Sequence, residues 1–212
     1  MPTLSTLATF AIASIILLIT PGPAVLFIIT RSIDQGRLAG IVSVLGVGTG
    51  TLFHVAAATL GLSAILLSSA LAFSIVKYLG AVYLIYMGVR KFLEKSKHEQ
   101  PDHIEPKPYR LLYQQGVVVN ILNPKLALFF FAFLPQFVDT NNGPVAGQFF
   151  VLGMTFAILG ICSDSLYALL AGTFGEWLKS SRLFLHGERY LAGTMYIALG
   201  LTAAVSGSNH KS

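Results

Sequence analysis

The chain is poor in charge. Only 11% of its residues are Asp, Glu, Lys or Arg, while 54% are hydrophobic and the mean hydropathy is +0.72. Soluble domains carry about 25% charged residues, so this balance excludes an ordinary water-soluble globule. Cysteine is almost missing too: Cys162 stands alone in an apolar run. One thiol permits no disulfide framework, no cysteine-ligated metal cluster and no exchanging dithiol pair within one chain. It reads as a small buried hydrophobe. No GxxxxGK[ST] pattern occurs, which removes the phosphate-loop nucleotide binders. Carboxylates are scarce in the apolar runs, and a single core aspartate with one histidine supplies neither an aspartyl pair nor a Ser/His nucleophile arrangement. An intramembrane hydrolase therefore ranks last.

What the sequence has is long uncharged runs, each near the ~20 residues that cross a ~30 Å hydrocarbon core. Six spans are predicted: Leu7–Ile29, Leu38–Leu62, Leu71–Phe92, Leu111–Phe137, Gly147–Phe174 and Tyr190–Val205. The opening "MPTLSTLATF" has no basic region, and its apolar run continues past any cleavage point, so it reads as a retained first membrane helix. The fold class is all-α and polytopic. One long polar stretch, residues 94–110, divides the chain into a first three-helix half (1–93) and a second (111–212), with a charged linker between them.

The net charge of +5 does not form a nucleic-acid patch. Arg31 and Arg37 follow the first span, a cluster from Arg90 to Arg110 follows the third, and Lys179, Arg182 and Arg189 follow the fifth. Positive charge marks the cytoplasmic side of a membrane protein, which puts both termini outside and the linker inside the cytoplasmic (inner) membrane. Lys77, near the external end of the third span, reads as a snorkelling side chain.

Three spans per half make homologous halves antiparallel, and ordered matches favour such an inverted repeat. "TPGPAVLF" (20–27) aligns with "NPKLALFF" (123–130), and "VLGV" (44–47) with "VLGM" (151–154). "KYL" before Gly88 and "RYL" before Gly200 recur with equal spacing. Inverted repeats with matched helix breaks are a transporter signature.

The breaks themselves are Pro21–Gly22–Pro23 and Asn123–Pro124. A proline inside a helix costs about 3 kcal/mol, and lipid cannot satisfy the backbone groups it frees. Paired breaks instead offer amides to a carboxylate and carbonyls to an ammonium, and an amino acid has both. Lys125 follows the second break deep within its span, where a charge needs a role or a partner. Asp164, in "ICSDSLYAL", is the carboxylate of the span cores. It could pair with Lys125, meet a substrate ammonium or carry a coupling proton. His54 could relay protons or hold an interhelical hydrogen bond. Asn120 and Asn123 offer amides beside the second break, and Asn123 is the better cap because it abuts the proline. Gly36/Gly40 and Gly46/Gly50 have small-xxx-small spacing for close packing within the chain or, less directly, for a homodimer. His98 and His103 in the linker would serve a metal-ion exporter, the alternative reading; a solvated linker is the stronger explanation of them.

Together, "TPGPAVLFIITRSIDQGRLAG" (20–40), "LGVGTGTLFHVAAATLGL" (45–62), "KYLGAVYLIYMGVRK" (77–91) and "NILNPKLALFFFAFLPQFV" (120–138) resemble the LysE/RhtB family of amino-acid exporters. The resemblance implies a small six-helix carrier of the cytoplasmic membrane that exports amino acids in exchange for protons, without a cofactor. It carries over to Pro21, Gly22, Pro23, Arg31, Gly36, Asn123, Pro124 and Lys125. Ala24 departs from the polar residue that many members place after the PGP. The substrate stays open among homoserine/threonine, leucine-like and basic amino acids.

Overall fold

The computed structural model describes residues 1–69 and 106–180, with isolated helical positions between 71 and 89 and at 194, 197 and 201. All secondary structure among the described residues is helical. Lys77, His98 and His103, most of the linker and most of the predicted third and sixth spans lie outside them.

Helix α1 (Leu4–Ile19) starts at Thr3, whose hydroxyl accepts the Thr6 amide at 3.2 Å. It ends where Pro21 forces Thr20 into extended backbone (φ −80°, ψ 115°). Gly22 is extended as well, and Pro23 opens α2 (Pro23–Gln35) as its first residue, where a missing N–H is harmless. The two pieces bend by 53°. The second break repeats this chemistry. Helix α5 (Tyr109–Ile121) stops, Asn123 is extended before Pro124, and α6 (Pro124–Leu128) begins. A π turn (Phe129–Phe133) and a 3-10 turn (Leu134–Phe137) continue α6, and this pair bends by 44°.

Two unbroken apolar helices complete the described bundle. Helix α3 (Arg37–Ala57) runs through a π turn (Ala58–Leu62) into α4 (Ser63–Ser68), and α7 (Val145–Ser180) kinks at Phe174. The segments Arg37–Ile65 and Val145–Phe174 are each long and apolar enough to cross a membrane, as is each bent pair taken as one span. Large side chains such as Ile12, Ile16, Leu45, Phe53 and Ile158 point outward, as lipid-facing positions should.

The turn after α2 corrects one expectation. Arg31 is not in a loop: the connection is Gly36 alone, at φ +85°, a conformation that glycine adopts without strain. Arg31 therefore sits inside α2, buried, with Nη2 donating to Gln115 Oε1 at 3.3 Å and its guanidinium 5.7 Å from the Phe27 ring centre. It no longer counts as a topology-setting loop charge. Cys162 is a second correction. It is exposed on the outer face of α7 rather than buried, because the helix turns Asp164 and Ala168 inward instead.

Glycine lets α3 and α5 touch backbone to backbone. A methyl on Gly46 would strike the Tyr113 carbonyl, one on Gly50 would meet Asn120 Cβ at 2.7 Å, and one on Gly116 would meet the Ser43 carbonyl at 2.8 Å. Gly40 abuts Ser32 and Ala168 in the same way. Gly40, Gly46 and Gly50 thus form a seam packed against the chain's own helices.

The ends of the bundle are tied by single bonds. The Met1 amino group donates to the Asn142 carbonyl at 2.8 Å, and Gln35 Nε2 donates to the Lys107 carbonyl at 2.9 Å at the opposite end. Between the breaks and the Met1 end lies an aromatic core built on Phe10, Phe129, Phe130, Phe133, Phe149 and Phe156. Between the breaks and Gly36 the packing uses smaller residues, Ala24, Val44, Val47 and Ala168 with Ile28.

Gly46→Val should therefore lower stability in detergent by about 1–3 kcal/mol through overpacking. Gly61→Ala is the control, since a methyl there meets nothing within 4 Å. Thermal unfolding of both variants checks this, and equal midpoints would mean that the seam is not tightly packed.

Candidate functional site

A helix that ends leaves its last carbonyls without intrahelical donors. At the first break these groups find donors both locally and from elsewhere in the chain. Lys125 Nζ donates to the Leu17 carbonyl at 2.8 Å, which also accepts the Thr20 amide at 3.2 Å, and to the Thr20 carbonyl at 2.5 Å. The Tyr167 hydroxyl donates to the Ile19 carbonyl at 2.6 Å, and Thr20 Oγ1 turns back to the Ile16 carbonyl at 3.3 Å. The ammonium also sits at the negative end of the α1 dipole, which favours a cation there.

Lys125 reaches this position because the second break aims it. Pro124 opens α6, and Asn123 caps it by accepting the Lys125 amide on Oδ1 at 3.1 Å. The lysine stem then passes over Gly22. A methyl on Gly22 would meet Lys125 Cδ at 3.1 Å and Nζ at 3.6 Å, so the middle residue of Pro-Gly-Pro leaves room for the lysine. The two breaks accordingly lie against each other, as their alignment suggests.

The second break is held in the same manner by α3. His54 Nε2 donates to the Asn120 carbonyl at 3.1 Å. The Asn120 amide donates to the Val47 carbonyl at 2.7 Å and to Thr51 Oγ1 at 2.8 Å, while Asn123 Nδ2 lies 3.5 Å from Asn120 Oδ1. His54 is flanked by Phe53 and Phe130, with ring centres 6.0 and 5.9 Å away. The interhelical hydrogen bond, one of its two sequence readings, is present.

Both breaks border one cavity of about 40 Å³. Gly22, Thr51, Asn120, Asn123, Lys125 and Asp164 supply its polar wall; Leu17, Leu126 and Phe156 are among its apolar lining. Asp164 is buried on α7 within Coulombic reach of Lys125. Of the residues singled out from sequence, Gly22, Asn120, Asn123, Lys125 and Asp164 line the cavity. Pro21, Pro23 and Pro124 shape the breaks, and His54 stands behind Asn120. The water-accessible space within the cavity is enough for about three waters.

The family described as LysE type translocator matches residues 15–207, nearly the whole chain. The chain belongs to the LysE translocator family. Uncharacterized membrane protein YrhP of Bacillus subtilis is 30% identical over 211 residues, covering 95% of this chain and 99% of its own. An uncharacterized membrane protein of Vibrio cholerae is 25% identical over 197 residues, covering 93% of this chain and 95% of its own. The homoserine/homoserine lactone efflux protein of Salmonella typhimurium is 28% identical over 173 residues, covering 82% and 84% respectively. No solved structure matches the chain significantly. This LysE translocator is a multi-pass membrane protein.

Tyr167 was missed from the sequence, although it lies three residues after Asp164 and so on the same helical face. The partners of Lys125 were missed as well, because backbone carbonyls leave no residue-type signal. Tyr167→Phe removes the donor to Ile19 and should cost about 0.6–2 kcal/mol, the range for interhelical bonds in membranes. Asn120→Leu, which removes two bonds to α3, should cost more. Thermal midpoints in detergent decide the order; a neutral Tyr167→Phe would mean that the Ile19 carbonyl finds another donor.

Proposed function

We propose that this LysE translocator exports amino acids or close derivatives across the cytoplasmic membrane in exchange for protons, holding the substrate between the two broken helices. The observation that carries this reading is the meeting of both helix breaks at one buried cavity that contains a cation, Lys125, and an anion, Asp164. A zwitterion of amino-acid size needs both signs of charge and exposed backbone groups, and lipid-facing kinks would offer neither.

The Salmonella relative's name points to homoserine and homoserine lactone. These two molecules share a primary ammonium but not a free carboxylate. For this chain, homoserine-like substrates fit a site in which the ammonium is the main recognition element. Of the two candidate proton carriers, Asp164 suits the role better. It borders the cavity beside Lys125, whereas His54 is engaged with the Asn120 carbonyl between aromatic rings.

The architecture behind the site is six membrane helices in two inverted three-helix repeats, 1–93 and 111–212, with both termini outside the cytoplasm. Crosswise bracing supports it. The second helix of the second half, α7, serves the first break through Tyr167, and the second helix of the first half, α3, serves the second break through His54. The placement of Met1 beside Asn142, and of Gln35 beside Lys107, agrees with an outside–inside alternation of the spans.

In inverted membrane vesicles, an acid-inside gradient should drive accumulation of L-homoserine. A protonophore should abolish that accumulation, and so should Lys125→Ala. Asp164→Asn should leave uptake unresponsive to the gradient. Uptake indifferent to the gradient in the unsubstituted protein would remove the proton coupling, and normal uptake by Lys125→Ala would remove Lys125 from the site.

A further inference from the structure

We propose that the carbonyl end of α1 is the subsite for the substrate's primary ammonium, and that Lys125 fills it as a tethered surrogate between transport cycles. This rests on the amino-acid reading above and goes beyond it by assigning the ammonium position and giving Lys125 a task other than binding the carboxylate.

The lysine head is chemically the group that the substrate would present. An alkylammonium has three N–H donors and no acceptor, and an α-ammonium has the same inventory. Lys125 Nζ spends donors on the Leu17 and Thr20 carbonyls, which are available because Pro21 ends the helix. Nothing in that coordination is specific to a lysine. The lysine is buried, and its stem passes close over Gly22, where a methyl would crowd Cδ at 3.1 Å. The arrangement is therefore a built cation site with an occupant supplied from the other half of the chain.

Occupancy gives the second argument. Lys125 Nζ already holds the Leu17 and Thr20 carbonyls, so a substrate ammonium reaches them only after the lysine has left. Once displaced, it needs another anion, and two are at hand. One is Asp164 on the same cavity wall, and the other is the incoming carboxylate. Insertion of a zwitterion between Lys125 and the carbonyls thus leaves every charge paired. When the substrate departs, Lys125 returns, and the Thr20 carbonyl, which lies past the last turn of α1, is not left bare in a low-dielectric interior. A molecule without a free amine has nothing to offer the carbonyls, with or without a carboxylate.

The test uses the full chain in proteoliposomes, with labelled L-homoserine as probe and N-acetyl-L-homoserine as the amine-blocked comparison. Lys125→Met keeps a linear side chain but removes the surrogate ammonium. Homoserine exchange by this variant should fall, but net gradient-driven uptake should fall at least about tenfold further, because an unloaded return step no longer has its cation. N-acetyl-homoserine should compete in neither protein. An equal fall in exchange and net uptake would make Lys125 a substrate ligand and nothing more, and retention of both would make it dispensable; either overturns the surrogate. A second measurement on the unsubstituted protein guards against a misfolded variant. Reductive methylation of Lys125, read by mass spectrometry, should rise when homoserine is added and not when N-acetyl-homoserine is added. Protection by homoserine, or no change, overturns the proposal. Failure of the unsubstituted protein to exchange any amino acid instead sinks the transport reading on which the proposal stands.

Discussion

A helix that stops inside a membrane leaves carbonyls that lipid cannot satisfy, and the contact between the Lys125 ammonium and the end of α1 answers that demand. Most of what surrounds it serves this contact. Pro21 creates the carbonyls, Gly22 leaves the passage for the lysine stem, and Asn123 with Pro124 fixes the start of α6 so that the next residue points across. An uncompensated charge at this depth would cost about 2.5–3.5 kcal/mol on insertion scales, and bare carbonyls would add their own desolvation penalty. Brought together, the two liabilities cancel. The lysine and the break are each hard to keep alone and stable as a pair.

The same logic links the two halves of the chain. Each break is braced by the unbroken helix of the other half, Tyr167 of α7 at the first and His54 of α3 at the second. Neither half closes its own backbone account. A change at one break therefore alters a contact of the helix on which the other half is packed. Glycine makes the bracing possible: Gly46, Gly50 and Gly116 bring α3 and α5 close enough for Asn120 to reach Val47 and Thr51.

Much of this was legible in the sequence, because charge and proline stand out in a low-charge apolar chain. Lys125, Asp164 and the two breaks were visible as expensive residues in expensive places, and their alignment predicted that the breaks would meet. The helical class and four of the span regions followed from run length. Other features left no such trace. Arg31 reads as a loop charge until Gly36 is seen to turn the chain in a single residue, which leaves the arginine one turn inside α2. Cys162 reads as buried because its run is apolar, yet in a membrane protein an apolar run has an outward face as well. The π turns at Ala58–Leu62 and Phe129–Phe133 depend on tertiary packing and have no short-range signature. Hydrogen bonds to carbonyls are invisible by nature, since every residue has one.

The lysine contact and the aromatic core act on the same elements in series. Phe10 of α1 packs 5.7 Å from Phe129 and 5.2 Å from Phe137, both on the arm that begins at Pro124, and Phe129 packs 4.7 Å from Phe156 of α7. Close-packed aromatic rings shear between discrete arrangements more readily than they deform. Releasing α1 from Lys125 therefore frees one end of an element whose other end is seated among these rings. A ligand shifts such an equilibrium only by its differential affinity for the two arrangements. If a substrate ammonium takes over the carbonyls that Lys125 gives up, the hydrogen bonds gained and lost are of one kind. The net binding energy is then small. A carrier that must release its substrate on the far side is well served by that balance, since tight binding would trap the cargo.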